Sequence, residues 1–135
     1  MKGISLEEAE KEMEEKTKYR EIRRIDEIMK PAIIGLIRFG VLPVSARSKE
    51  PFPFIVLRPS QISRVATIVQ AWNTSLLAGN HKKITELVLS PAKELRLEPE
   101  NVTLDLRTLQ EEFTTFGQWL KNLPLDYFEK QSKRR

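Results

Sequence analysis

Apolar side chains recur near the end of the chain at Val102, Leu106, Leu109, Phe113, Phe116, Leu120 and Leu123, in alternating steps of four and three. This spacing predicts a long helix whose seam packs on another helix, within the subunit or between subunits. Pro124 ends it. Upstream, Ser60 reads as an N-cap, and Ile62, Val65, Ile68, Val69 and Trp72 share one helical face. Gly79 suits the end of that helix. Further helices are expected over 81–89 and, from the Ser90-Pro91 step, over 91–97. At the other terminus Ser5 and Glu8 form a capping box, so a helix is expected from Leu6. No Gly or Pro interrupts it before Met29, and Tyr19, Ile22, Ile25 and Met29 form its apolar stripe. Lys30-Pro31 should bend the chain into a short, very apolar helix over 32–42. Little reads as a strand. The expected class is all-α: an N-terminal helix-turn-helix arm followed by a small helical bundle.

Pro43, Pro51, Pro53 and Pro59 mark a break in the pattern. The chain therefore divides into an arm at 1–45, a Pro-rich linker at 46–59 and a helical body at 60–135. A helix as short and apolar as 32–42 is not stable alone in water. Either the arm folds back on the body or it docks on a second chain. Gly35 and Gly40 within it admit a close backbone approach, or ordinary tight helix packing.

The chain has 135 residues, 40% of them apolar and 31% charged, which suits one globular domain. It has no Cys and a single His, His81, so thiolate chemistry and His-rich metal sites are excluded. Gly35 and Gly40 have phosphate-loop spacing, but Val41-Leu42 stands where Lys-Ser/Thr is required. The reading is not an enzyme, with no cofactor and no metal. No leader pattern and no spanning apolar run is visible.

The formal net charge of +4 hides a strong segregation. Residues 1–15 hold six acidic and two basic groups, whereas 16–49 hold nine basic and three acidic. Lys16, Arg20, Arg23 and Arg24 fall on one helical face, and Lys30 and Arg38 carry the charge onward. Such a face fits a polyanion, a membrane surface or a plain solvated helix with pairs such as Arg23 and Glu27.

The run from Tyr19 through Ile22, Arg23-Arg24, Ile25 and Lys30-Pro31 to Gly35, Gly40 and Pro43-Val44 resembles a known family. It is similar to the arm of the major coat proteins of rod-shaped and filamentous double-stranded DNA viruses of hyperthermophilic archaea. The resemblance implies a virion protein, present in host cytoplasm during assembly, that wraps linear A-form duplex DNA without regard to sequence. Its partners would be double-stranded DNA, a second copy or a paralogous coat protein, and neighbouring dimers in a helical filament. Lys16, Lys18, Arg20, Arg23, Arg24, Lys30 and Arg38 would then face phosphates, with Arg47 and Lys49 extending the track. Ile22, Ile25, Ile33, Ile34, Leu36, Ile37 and Phe39 would be subunit contacts. Two alternatives stand beside it: an all-helical DNA-binding regulator with a recognition helix within 60–97, and an adaptor dimerising through 102–123.

Overall fold

Ser5 opens the first helix as its sequence suggests. In the computed structural model, which describes residues 2–75, 85–91 and 94–129, the Ser5 hydroxyl accepts from the Glu8 N–H at 3.2 Å. Helix α1 (Leu6–Lys18) then stops well short of Met29. Arg20 takes a left-handed φ of 60°, and the Glu21 N–H turns back to the Lys16 carbonyl at 2.9 Å. Next come β1 (Arg24–Ile25), a single 3-10 turn (Glu27–Met29) and α2 (Lys30–Arg38). Pro31 sits in the first turn of α2, where a missing N–H breaks no helical bond. Strands β2 (Ser45–Arg47) and β3 (Phe54–Val56), helix α3 (Ile62–Thr74), strands β4 (Leu87–Ser90) and β5 (Arg96–Pro99), and helix α4 (Leu106–Asn122) complete the order.

The strands form one mixed sheet in the order β1-β2-β3-β5-β4. β1 runs parallel to β2, and the other pairs are antiparallel. The expected all-α class is therefore corrected to an α/β fold. Each strand has only two to four residues, too short for an alternating pattern to stand out along the chain. Within 81–97, where helices over 81–89 and 91–97 were expected, the described residues form β4 and β5 instead. Gly79 and His81 lie outside the described residues.

Register sorts the sheet into two faces. Ile25, Ala46, Ile55, Leu97 and Leu89 stand side by side across the five strands and face the core. Arg24, Ser45, Val56, Arg96 and Ser90 form the neighbouring row on the opposite face. At the β4 edge the Asn73 amide accepts from the Leu87 N–H at 3.1 Å and donates to its carbonyl at 2.9 Å. It thus occupies the place a neighbouring strand would take.

The expected arm is not separate from the body. α2 lies against both α1 and α4, and Ala32 to Phe39 are all buried. The Gly3 N–H reaches the Leu125 carbonyl at 2.7 Å, and one apolar cluster includes residues from Ala9 to Phe128. The supposed linker supplies β2 and β3, two central strands of the sheet. Ile22, Ile33, Ile34, Leu36, Ile37 and Phe39, expected as contacts between subunits, are buried inside their own chain. Ile25 packs half-buried against the same core. Helices α1 and α4 give the apolar helix the surfaces it buries against.

The seam of α4 packs within the subunit: Leu109, Phe113, Phe116 and Leu120 are fully buried, while Val102 lies exposed ahead of the helix. Gly35 serves a close approach, because a Cβ there would lie 2.6 Å from the Leu120 Cβ. Gly40 serves the chain direction instead, ending α2 in the left-handed region at φ 83°.

Candidate nucleic-acid interface

The sheet face turned away from the core carries Arg24, Arg47 and Arg96. Arg47 and Arg96 both lie over the Phe54 ring, their guanidinium carbons 5.7 and 4.1 Å from its centroid. Arg96 is held further by Glu94 at 3.4 Å and Glu98 at 3.9 Å. It is a neutralised, packed cation. Arg47 is exposed and keeps its charge available. Neighbouring strands are about 4.8 Å apart, so Arg24 and Arg96 stand roughly 14 Å apart across the sheet.

The loop from α1 to β1 adjoins this face at the β1 edge. Its Arg23 N–H extends the pairing by bonding the Val44 carbonyl at 2.7 Å. Arg58 fastens the loop from below, with Nη2 donating to the Glu21 carbonyl at 2.7 Å and Nε to the Leu42 carbonyl at 3.1 Å. Lys18, Tyr19, Arg20 and Arg23 are exposed on it.

The nine cations singled out in the sequence fall into three groups. Lys18, Arg20, Arg23, Arg47 and Lys49 are exposed and form no ion pair among the described residues. Lys16, Arg24 and Lys30 are paired, with Glu21 at 3.0 Å, Asp26 at 3.2 Å and Glu27 at 2.9 Å. The Glu21 carboxylate raises the Lys16 pKa above its ordinary value. Arg38 is the correction. Its side chain is buried and bonds the carbonyls of Ile4, Leu120 and Lys121, so it cannot face a phosphate.

Asp26 holds the β1 edge in place. Its carboxylate accepts from the Ser48 N–H at 2.7 Å, the Ser48 hydroxyl at 3.0 Å and Arg24 Nε at 3.2 Å. Gln110 of α4 in turn donates to the Ser48 carbonyl at 2.6 Å. Burial pushes the Asp26 carboxyl up, but the Ser48 bonds and Arg24 outweigh it and hold the pKa below that of an ordinary aspartate. A group whose pKa is lowered by folding stabilises the fold above its unfolded value of about 3.9, and the contribution fades as pH falls through the folded value. Asp26→Asn should therefore destabilise the protein at about pH 6, and the difference from the native chain should shrink as pH falls below the ordinary aspartate value and through the lowered folded one. Urea midpoints measured across that range check the sign.

No known protein family, curated protein or solved structure matches this chain. What the chain can bind is therefore read from its side chains. Among the described residues no cluster of His, Asp and Glu is placed to hold a metal ion, and no helix is long and apolar enough to cross a membrane.

Sequence reasoning missed Arg58, Asp26, Ser48 and the Phe54–Arg96 stack. Nothing local marks them, since each acts on a partner distant in the chain. The segregated charge in 16–49 was the signal that found the remainder.

Proposed function

We propose that this protein binds nucleic acid through the phosphate backbone, without reading base sequence, at the edge formed by the α1–β1 loop, β1 and β2. The observation that carries this reading is that five exposed cations of the 16–49 stretch, Lys18, Arg20, Arg23, Arg47 and Lys49, have no ion-pair partner among the described residues. Net positive charge concentrated on one edge attracts a polyanion and draws most of its affinity from counterion release. Of the acidic residues of 1–15, Glu7 and Glu8 lie at the far end of α1, roughly 16 Å from Lys18 by helical rise, whereas Glu12 and Glu15 act on Lys16, which Glu21 already pairs. The clasp implied by the coat-protein resemblance needs α2 as a contact between chains. α2 is already used inside this one, so the proposal is a nucleic-acid-binding domain, and any filament would have to form through other surfaces.

The test is fluorescence anisotropy with duplex and single-stranded oligonucleotides of equal length, over a range of salt. Duplex affinity should fall with a slope of about −4.5 in log K against log salt, at about −0.9 per phosphate neutralised. Unrelated sequences should bind within a few-fold of one another. The double variant Arg47→Glu, Lys49→Glu should flatten the slope by about 2. No binding at low salt would overturn the reading, as would a preference of about a thousandfold for one sequence.

A further inference from the structure

The α1–β1 loop contains a local misfit. Arg20 N–H bonds the Thr17 carbonyl at 3.1 Å, and Glu21 N–H bonds the Lys16 carbonyl at 2.9 Å. This pair of bonds is the glycine-favouring helix terminus, in which the residue after the cap is left-handed. Here that residue is arginine, at φ 60°. A bulky side chain in this region is strained, because its Cβ crowds the backbone. Gly40 ends α2 in the same conformation without strain, so the fold can place glycine at such a point. The misfit is also held rigidly: Lys16 pairs with Glu21, Arg58 bonds the Glu21 carbonyl and Arg23 bonds Val44.

The rigid turn projects an aromatic ring into solvent. Tyr19 is 67% exposed, the most open of the large apolar side chains among the described residues. Lys18 Nζ lies 5.8 Å from its ring centroid, and Arg20 and Arg23 flank it in the chain. An exposed ring among cations recovers no burial energy within the fold. It does suit a ligand that presents flat bases and phosphates together. In duplex DNA the base faces are already stacked on one another, whereas in a single strand they are free to stack on an aromatic side chain. Phe54 cannot serve this purpose, since it is buried under Arg47 and Arg96.

We infer that the turn at Lys18–Arg23 is a stacking tip for single-stranded nucleic acid, with Tyr19 receiving a base while Lys18, Arg20 and Arg23 hold the flanking phosphates. This deepens the proposed backbone binding and rests on it. Occupancy by a single strand gives the strained Arg20 a use: it places charge at the one position where the turn favours glycine.

The decisive experiment compares native protein, Tyr19→Ala, Tyr19→Phe and Arg20→Gly on oligo-dT and on a duplex of the same length. Native protein should prefer the single strand. Tyr19→Ala should weaken oligo-dT binding about tenfold, Tyr19→Phe should restore it, and duplex binding should change less than about twofold. Arg20→Gly should raise the melting temperature by about 3 °C as strain is relieved, yet bind oligo-dT more weakly. Both positions are exposed, and circular dichroism will show that the variants fold. Duplex preference in the native protein, or unchanged oligo-dT binding by Tyr19→Ala, would overturn the stacking tip while leaving backbone binding intact. Failure to bind either strand form would overturn both.

Discussion

Gly117→Ala is expected to lower the melting temperature by about 8 °C, although alanine is the better helix former. Propensity alone favours the alanine by about 1 kcal/mol in a helix interior such as this part of α4. Sterics oppose it. A Cβ on Gly117 would lie 2.4 Å from the Ala32 nitrogen and 2.4 Å from the Pro31 carbonyl carbon. Those are backbone atoms, so no rotamer change relieves the contact, and α2 as a whole would have to move. α2 lies between α1 and α4 with every residue from Ala32 to Arg38 buried, so its displacement would disturb the centre of the core. Overpacking of this kind costs typically 1–3 kcal/mol, and a backbone obstacle belongs at the upper end. The net expected loss is about 2 kcal/mol, read from a thermal melt followed by circular dichroism. A melting temperature equal to or above that of the native chain would mean that α2 and α4 do not cross at this distance.

That crossing was partly legible in the sequence. Gly35 stands out because glycine weakens so short a helix, which points to a close approach. The Leu109, Phe113, Phe116, Leu120 seam demands a helical partner by its spacing alone. Both signals are local to one element, and both correspond to what is seen. The sheet had no such signal. Its core row is one residue from each strand, Ile25, Ala46, Ile55, Leu97 and Leu89, and these are distant in the chain. With only two to four residues per strand, alternation has no length in which to show. The prolines misled for a related reason: Pro43, Pro51, Pro53 and Pro59 flank short strands, and together they look like a linker.

The site was legible as a quantity of charge and not as an arrangement. The excess in 16–49 located the basic edge, yet which cations remain available depends on Glu21, Asp26 and Glu27, each only a few residues away from the charge it neutralises. The end of α1 at Lys18 was hidden because a left-handed arginine gives no warning. Reading the helix on to Met29 put Tyr19 in an apolar stripe with Ile22 and Ile25, when the turn separates them and leaves Tyr19 outside.

Arg38→Met is expected to destabilise the fold by about 3 kcal/mol without affecting nucleic-acid binding. Arg38 is only 7% exposed, and it spends its fork on backbone oxygens. Nε donates to the Ile4 carbonyl at 3.0 Å, and Nη1 donates to the Leu120 and Lys121 carbonyls at 2.9 and 3.1 Å. The last two belong to the final turn of α4, where carbonyls lack helical partners and the helix dipole is negative. The guanidinium therefore ties the N-terminal strap to the end of α4, and the Ile4 N–H completes the tie by donating to the Arg38 carbonyl at 2.8 Å. Burial lowers the Arg38 pKa, but a guanidinium stays charged throughout the range where proteins fold. Hydrogen bonds to a charged group contribute about 1.5–3 kcal/mol each, and the desolvation of the guanidinium offsets part of their sum. Methionine preserves the apolar stem, so the loss isolates the hydrogen bonds from the packing. Lysine should recover only part of the stability, because a single ammonium cannot span the positions that the planar fork reaches. Urea unfolding with an unchanged m-value measures the effect, and faster amide exchange at Ile4 would locate it. Had Arg38 faced phosphates, as the basic run in the sequence suggests, the same variant would keep its stability and lose affinity instead. That reversed result would require α2 to be exposed and would overturn the assignment of this helix to the core.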